Sequence, residues 1–423
     1  MTLAVADHAS ARGAIAAPAR WEPTAAALCL AQFSEPLFAA IAQAQGAVEP
    51  PGYARLFFLP VYAFLGFAAW RDRAQAWAAL RSAPLLLALF ALALASTLWS
   101  IDSSATLRRS AWLGLTMLFA FYLAWRYSWR ELVEVLAGGF VALIAGSFAL
   151  AILAPSIGRM VAEHPGAWSG LWTHKNSLGG IMALGVGVCA AAAMVAPPRR
   201  KLWTLAALAA FALVLLSTSM TALVAVLLGL GVMGVARLAR RGPVAAVAAL
   251  GGLAAVLVLG AGALALAPEL FVDLLGRDLT LTGRTDIWQA AAPAVSAQPW
   301  FGYGYYAFWL PEFGPAYWVR EAVGWKVASA HSSWLELSLG LGRVGVAVFA
   351  LQLGATLMRG IGALGRADAG LWAPALLAVF ALYTLSESHT LQANNLFWII
   401  YVAVAARLAL DARAARQGLG VRR

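Results

Sequence analysis

"LWTLAALAAFALVLLSTSMTALVAVLLGLGVMGVA" (202–236) is an apolar run of 35 residues, interrupted once by the polar "STSMT" at 217–221. As a single α-helix it would be about 52 Å long, too long for the ~30 Å hydrocarbon core of a bilayer. Two short helices, 202–218 and 220–236, joined by a tight turn satisfy that length. Nothing in the run resembles the alternating strands of an outer-membrane barrel.

The same composition extends along the chain. It is 62% hydrophobic and only 12% charged, with a mean hydropathy of +0.77, whereas a soluble surface needs roughly 25% charged residues. The expected class is therefore all-α: a polytopic transmembrane helical bundle. Windows of about 20 residues mark twelve spans, near 24–46, 53–70, 83–99, 110–125, 131–154, 176–197, 202–218, 220–236, 243–266, 333–357, 371–388 and 395–410. A cytoplasmic segment (1–23) precedes them, a large loop (267–332) separates the ninth from the tenth, and a basic tail (411–423) follows. Residues 1–20 have no continuous apolar core before a cleavage site, so the first span itself is expected to direct insertion. Cys29 and Cys189 fall inside apolar runs and read as packing residues.

Charge sets the orientation. With both termini in the cytoplasm, 20 of the 30 basic residues fall inside, among them Arg71, Arg126, Arg199, Arg237, Arg359 and Arg407. That distribution obeys the positive-inside rule. The net charge of +11 then reflects topology and anionic lipid and gives no argument for nucleic acid. The informative cations are those left on or near the outer side: Arg55, Arg108, Arg109, Arg159, Lys175, Arg277, Arg284, Arg320, Lys326 and Arg343. They oppose the topology rule, and an anionic ligand on that face accounts for them.

Loop 267–332 is long for a connection, and long loops in compact proteins are usually functional. Within it, 281–298 reads as a helix with Thr282 as N-cap and Asp286 in the first turn. Arg284 would then combine its guanidinium fork with the free amides of a helix start, a phosphate-binding arrangement. An arginine paired with Asp278 or Asp286 fits the same spacing. The loop holds nine Trp and Tyr residues, from Trp288 to Trp325. They suit an interfacial aromatic belt or apolar platforms for sugar rings. His331, at the outer end of the tenth span, can accept a proton near neutral pH. Ser332 and Ser333 would cap the helix, and Glu336 could orient the imidazole or face a neighbouring helix.

His331–Ser332, nine residues, Gly342, two residues and Gly345 form a pattern that resembles the signature of bacterial O-antigen ligases and exopolysaccharide polymerases. "GRTDIWQAAAPAVSAQPWFGYGYYAFW" (283–309) is similar to that superfamily's outer-loop segment. "WTHKNSLGG" (172–180) and "LWSIDSSATLRRS" (98–110) resemble the exopolysaccharide-polymerase branch. The resemblance covers roughly 90–410 and implies a membrane glycosyltransferase of the C superfamily acting on the periplasmic side. It implies a glycan donor on undecaprenyl pyrophosphate, a sugar hydroxyl as acceptor, no cofactor or metal, and inversion by single displacement. No His, Asp and Glu cluster with metal-ligand spacing appears on the outer face.

On the family pattern Arg284 matches the diphosphate-binding arginine and His331 the general base. Trp288, Ser332 and Glu336 are expected to contact substrate. One departure stands out: relatives carry a second cation in the turn after the seventh span, where this chain has Met220. Lys175 of "THKN", flanked by His174 and Asn176, or the pair Arg108 and Arg109 are candidates to replace it. "THKN" also reads as an ordinary helix start capped by Asn176. Glu35 lies inside a predicted span, where a charge usually marks function, but Pro36 beside it suggests a broken helix.

Extension of an exopolysaccharide is the first reading and ligation of O-antigen to lipid A core the second, with a flippase and a chain-length regulator as candidate partners. A lipid-linked-sugar transporter would need midplane ionisable residues and internal repeats; no convincing repeat is present. Cysteines introduced at 300–325 should react with an impermeant periplasmic reagent and those at 238–242 should not; reversed labelling would place every candidate residue in the wrong compartment.

Overall fold

A computed structural model describes residues 18–36, 56–161, 164–242, 283–364 and 368–417, with single positions 38, 41, 244, 245, 247, 248, 251 and 252. The expected span at 243–266 lies largely outside the described residues, as do Arg55, Arg277, Asp278 and Thr282. Apart from the single turn Pro155–Gly158, fourteen α-helices organise the described chain: α1 (Glu22–Gln32), α2 (Leu59–Arg71), α3 (Arg73–Ser82), α4 (Pro84–Ala95), α5 (Ser103–Arg126), α6 (Trp129–Leu153) and α7 (Lys175–Val195) come first. Then follow α8 (Arg200–Leu216), α9 (Met220–Ala239), α10 (Arg284–Ala297), α11 (Pro315–Val323), α12 (Ser333–Gly362), α13 (Ala369–Ser386) and α14 (Leu396–Arg416). Among the described residues there is no strand, only an isolated bridge between Arg159 and Trp168.

Among the described residues five helices (α6, α7, α9, α12 and α13) are long and apolar enough to cross a membrane, or up to six spans if the bent pair α3–α4 counts as one. Of the twelve expected spans, that at 243–266 lies largely outside the described residues, and several others form helices that are shorter or more polar. The first stops at Gln32, where Glu35 adopts φ +52° ahead of Pro36. The run at 202–236 does divide into two helices, with Thr218 at φ +51° in the turn between them. Local caps fix other ends. Asp102 accepts from the Ala105 amide at 2.9 Å to start α5, and Ser128 with Glu131 forms a reciprocal capping box at the start of α6.

One end of the bundle is tied by charge. Glu22, buried at the start of α1, accepts from Arg126 of α5 at 2.6 Å, Arg71 of α2 at 2.8 Å and the Tyr122 hydroxyl at 3.0 Å. Removing one member of such a buried pair typically costs about 3–5 kcal/mol. Nearby Arg407 of α14 donates to the carbonyls of Ala124 and Tyr127, so four helices meet at this ion-pair end. Between the ends the core is close-packed aromatic and aliphatic side chains, including Trp372, Trp398, Phe380 and Tyr401, and packing of this kind holds helices together where no water is available to be displaced.

The opposite end is organised by a break in α12. Gly342 takes φ +63° and ψ −164° inside the helix, and the two halves fold sharply against each other. Trp334 and Phe349 are 15 positions apart, about 22 Å along a straight helix, yet their ring centroids lie 5.1 Å apart. The segment "PWFGYG" (299–304) threads the break and pairs the backbone groups it frees. Tyr303 and Gly304 amides donate to the carbonyls of Leu339 and Gly340, while the amides of Arg343 and Val344 donate to Pro299 and Trp300. A Cβ on residue 342 would overlap the Trp300 carbonyl, whereas one on Gly340 meets nothing closer than 3.5 Å. Gly342→Ala is therefore expected to abolish monodisperse protein on fluorescence-detected size-exclusion chromatography and Gly340→Ala to leave it intact; equal profiles would show that the strap does not lock the break.

Candidate active site

The short arm of α12 delivers His331 to the loop end. Ser332 is the N-cap, its hydroxyl accepting from the Leu335 amide at 3.5 Å, and His331 just before it adopts φ +49°. Trp288 of α10 fixes the preceding residue by donating from its indole to the Ala330 carbonyl at 2.8 Å. Glu336 accepts from the Ala330 amide at 2.5 Å, from the Trp309 indole at 3.1 Å and from Ser388 at 3.3 Å. Its hydrogen bonds thus hold the backbone around His331; the imidazole itself is oriented by another carboxylate.

That carboxylate is Glu387, at the end of α13. Its two oxygens take Nη2 of Arg284 at 2.7 Å and Nδ1 of His331 at 3.3 Å. The helix reading of 281–298 holds, although α10 begins with Gly283 at the N-cap position, in a left-handed conformation. Arg284 also donates through Nη1 to the Ser386 carbonyl. Arg284 and Glu387 are mostly buried, at 14% and 19% side-chain exposure, and His331 is 38% exposed. Burial alone would push the Glu387 carboxyl up; the His331 hydrogen bond and the Arg284 charge overcome it and hold the pKa below its ordinary value of 4.5. Arg284 does pair with a carboxylate, but with one 103 positions away and not with the neighbouring Asp286 that the spacing also allowed.

The run "ESHTLQANN" (387–395) supplies the rest. Ser333 donates to the Glu387 carbonyl at 2.8 Å and accepts from the amides of His389 and Thr390. His389 stacks on Phe397 at 4.0 Å and contacts the Asn395 amide through Nδ1 at 3.1 Å. Its enclosure pushes the imidazole pKa down to about 4, so it is neutral at ordinary pH and adds no cation. Seven polar residues among nine between two apolar spans were a legible signal. The span reading of 371–388 hid Glu387 because a hydropathy window averages over helix ends.

The other expected residues fall around this centre. Lys175 is buried and donates to Thr218 at 3.1 Å, in the turn before Met220. Five positions along α7, Gly180 packs against Tyr383 and Phe397, so Lys175 is at the same end of the bundle as Glu387. His174 caps α7, with Nδ1 accepting from the Asn176 amide at 3.1 Å. The expected cap, Asn176, is instead the residue being capped. Arg109 lies over the Tyr306 ring at 5.5 Å and donates to the Tyr306 carbonyl at 3.4 Å. Arg108 is exposed and faces Ser104. The loop aromatics divide: Tyr303, Tyr305 and Trp309 are buried, whereas Trp300, Trp318 and Trp325 are exposed. Arg320 donates to the carbonyls of Trp309, Pro311 and Val327 and serves the loop's own fold. Among the described residues no three His, Cys, Asp or Glu side chains converge as a metal site.

With this geometry in hand, the comparisons with known proteins are informative. Residues 205–350 match the family described as O-antigen ligase. The match agrees with the resemblance to the O-antigen ligase and polysaccharide polymerase superfamily read from the sequence. That match includes α10, His331, the strap and the break in α12. The chain is also 32% identical over 106 residues to the "Exopolysaccharide production protein ExoQ" of Rhizobium meliloti (strain 1021). This covers 24% of the chain and 23% of that relative's length. The described chain is thus helical, with several helices long and apolar enough to cross a membrane, and its residues 205–350 are similar to the O-antigen ligase family.

A carboxylate with a lowered pKa stabilises the fold above its ordinary pKa, and that contribution disappears as pH falls through the lowered value. The melting-temperature advantage of wild type over Glu387→Gln in detergent should therefore be full at neutral pH and narrow below about pH 4.5. A constant advantage into acid would show that ionisation of Glu387 is not what stabilises the fold.

Proposed function

We propose that this protein is an inner-membrane glycosyltransferase that transfers a glycan from undecaprenyl pyrophosphate to a sugar hydroxyl on the periplasmic face, extending the repeat units of an exopolysaccharide. The observation that carries this reading is the single carboxylate bridging an arginine and a histidine. Glu387 accepts from Nδ1–H of His331, which leaves the Nε2 lone pair available to an acceptor hydroxyl. As the acceptor oxygen bonds to the anomeric carbon, the bond from that carbon to the diphosphate oxygen breaks. The hydroxyl proton passes to His331, and Glu387 stabilises the imidazolium. Arg284 holds the leaving diphosphate through guanidinium N–H groups that Ser386 and Glu387 do not occupy, and Lys175 and Arg109 supply further positive charge. One displacement inverts the anomeric centre and needs no metal.

Twelve spans with both termini in the cytoplasm would place this centre toward the periplasm. The Rhizobium relative is named for exopolysaccharide production, which supports the exopolysaccharide reading, while the family's description keeps ligation to lipid A core as the second reading. The two differ in the acceptor and share the centre described above. A flippase and a chain-length regulator would accompany the polymerase. Arg284 and His331 carry separable tasks, so their variants should differ. Arg284→Ala, and Arg284→Lys to a lesser degree because it loses the bidentate fork, should weaken donor binding and abolish transfer. His331→Ala should leave donor affinity nearly unchanged while the single-turnover rate falls on the order of 10²–10⁴-fold. A wild-type rate in His331→Ala would reduce the histidine to a helix-end residue and defeat this mechanism.

A further inference from the structure

The run 387–395 does not stay at the surface. Helix rise fixes its depth from the ion-pair end, where Glu22, Arg71, Arg126 and Arg407 meet. Asn395 lies 12 positions from Arg407 along α14, about 18 Å. Asn394 donates from its side chain to Glu35 at 2.8 Å, and its amide donates to Thr116 at 3.0 Å. Thr116 is ten positions from Arg126 along α5, about 15 Å. Arg109, seven positions further out, is at about 25 Å. Against a hydrocarbon core of ~30 Å, Glu35, Thr116 and Asn394 sit near mid-depth. Irregular backbone at that depth persists only where protein buries it or it lines a water-filled cavity, and an intramembrane carboxylate calls for a function.

Two further observations point to a ligand. The hydroxyls of Thr390 and Tyr306 are buried without a hydrogen-bond partner, and both line a cavity together with Tyr305, Trp309, Glu336 and Leu391. The Tyr62 hydroxyl, within electrostatic reach of Glu35, is likewise buried and unpartnered. The chemistry is sorted by depth: Arg109, Lys175 and Arg284 lie toward the loop end, whereas the floor offers carboxylate, amide and hydroxyl groups beside the rings of Tyr62 and Trp112, 5.6 Å apart. A diphosphate would be repelled there, while a neutral ring bearing several hydroxyls would find acceptors, donors and aromatic faces. We infer that Glu35 and Asn394, the latter anchored by the buried Thr116, form the floor of a water-accessible recess that binds a sugar residue of the substrate, below the group that is transferred or accepted at His331. This rests on the glycosyltransferase reading for the identity of the sugar, and on geometry alone for the recess.

The test uses the full-length protein in proteoliposomes, with Cys29 and Cys189 replaced by Ala. Cysteines at 392 (Gln392→Cys) and 394 (Asn394→Cys) should react with a small charged methanethiosulfonate reagent, whereas Ala120→Cys, one turn beyond Thr116 toward the ion-pair end, should not. Oligosaccharides released from the host's own polymer should slow labelling at 394 several-fold, and inorganic pyrophosphate at equal concentration should not. Glu35→Gln should raise the KM for transfer about tenfold, the worth of one charged hydrogen bond, with kcat changed much less. Unreactive cysteines at 392 and 394 would overturn the recess. Reactive cysteines protected by pyrophosphate, or by neither ligand, would overturn the sugar assignment. These labelling outcomes do not depend on His331, so failure of the His331→Ala and Arg284→Ala comparison would defeat the transferase reading while leaving the recess standing.

Discussion

The site exists because one helix is broken and its broken ends are satisfied. A helix interrupted at Gly342 exposes amides and carbonyls that cannot be left unpaired in an apolar setting. The strap "PWFGYG" supplies four backbone hydrogen bonds at that point. This has two consequences. The short arm of α12 can fold back until Trp334 meets Phe349, which brings His331 beside the end of α13. Because the strap follows α10 directly, the same four bonds set the position of Arg284. The spacing of the signature glycines then has a physical meaning: Gly342 admits the strap's backbone, and at Gly345 a side chain would overlap Leu341.

Glu387 resolves an electrostatic problem created by that folding. A guanidinium and an imidazole brought together in a partly buried place would repel if the imidazole took up a proton. A carboxylate between them accepts from both, and its charge is kept because two donors outweigh the burial. The same group thereby couples the two halves of the proposed chemistry: the tautomer of the base and the orientation of the cation that faces the leaving group. Coupling of this kind is why single substitutions in such a cluster are non-additive.

The polar residues are ordered along the bundle as well as clustered. The cations Arg109 and Lys175 lie toward the loop end, the bridging carboxylate lies among the helix ends, and Glu35 with Asn394 lies deeper. Glu22 with its arginines closes the opposite end. Opposite charges are paired at both ends, Arg284 with Glu387 toward the loop end and Glu22 with Arg71 and Arg126 at the other.

Length, hydropathy and turn chemistry were sufficient for the local architecture. They gave an all-helical bundle, the division of 202–236 at "STSMT", a break at Glu35–Pro36 and the helix carrying Arg284, because each depends on residues within a few turns of one another. The candidates His331 and Arg284 were also legible, from a resemblance carried by residue spacing. The partner of both was not. Glu387 is 103 positions from Arg284 and 56 from His331, and hydropathy counted it as the end of an apolar span. Glu336, which is near His331 in sequence, turned out to hold Trp309 and Ala330. Which carboxylate faces the imidazole depends on where a broken helix folds back, and that is decided by long-range backbone pairing that no local periodicity records.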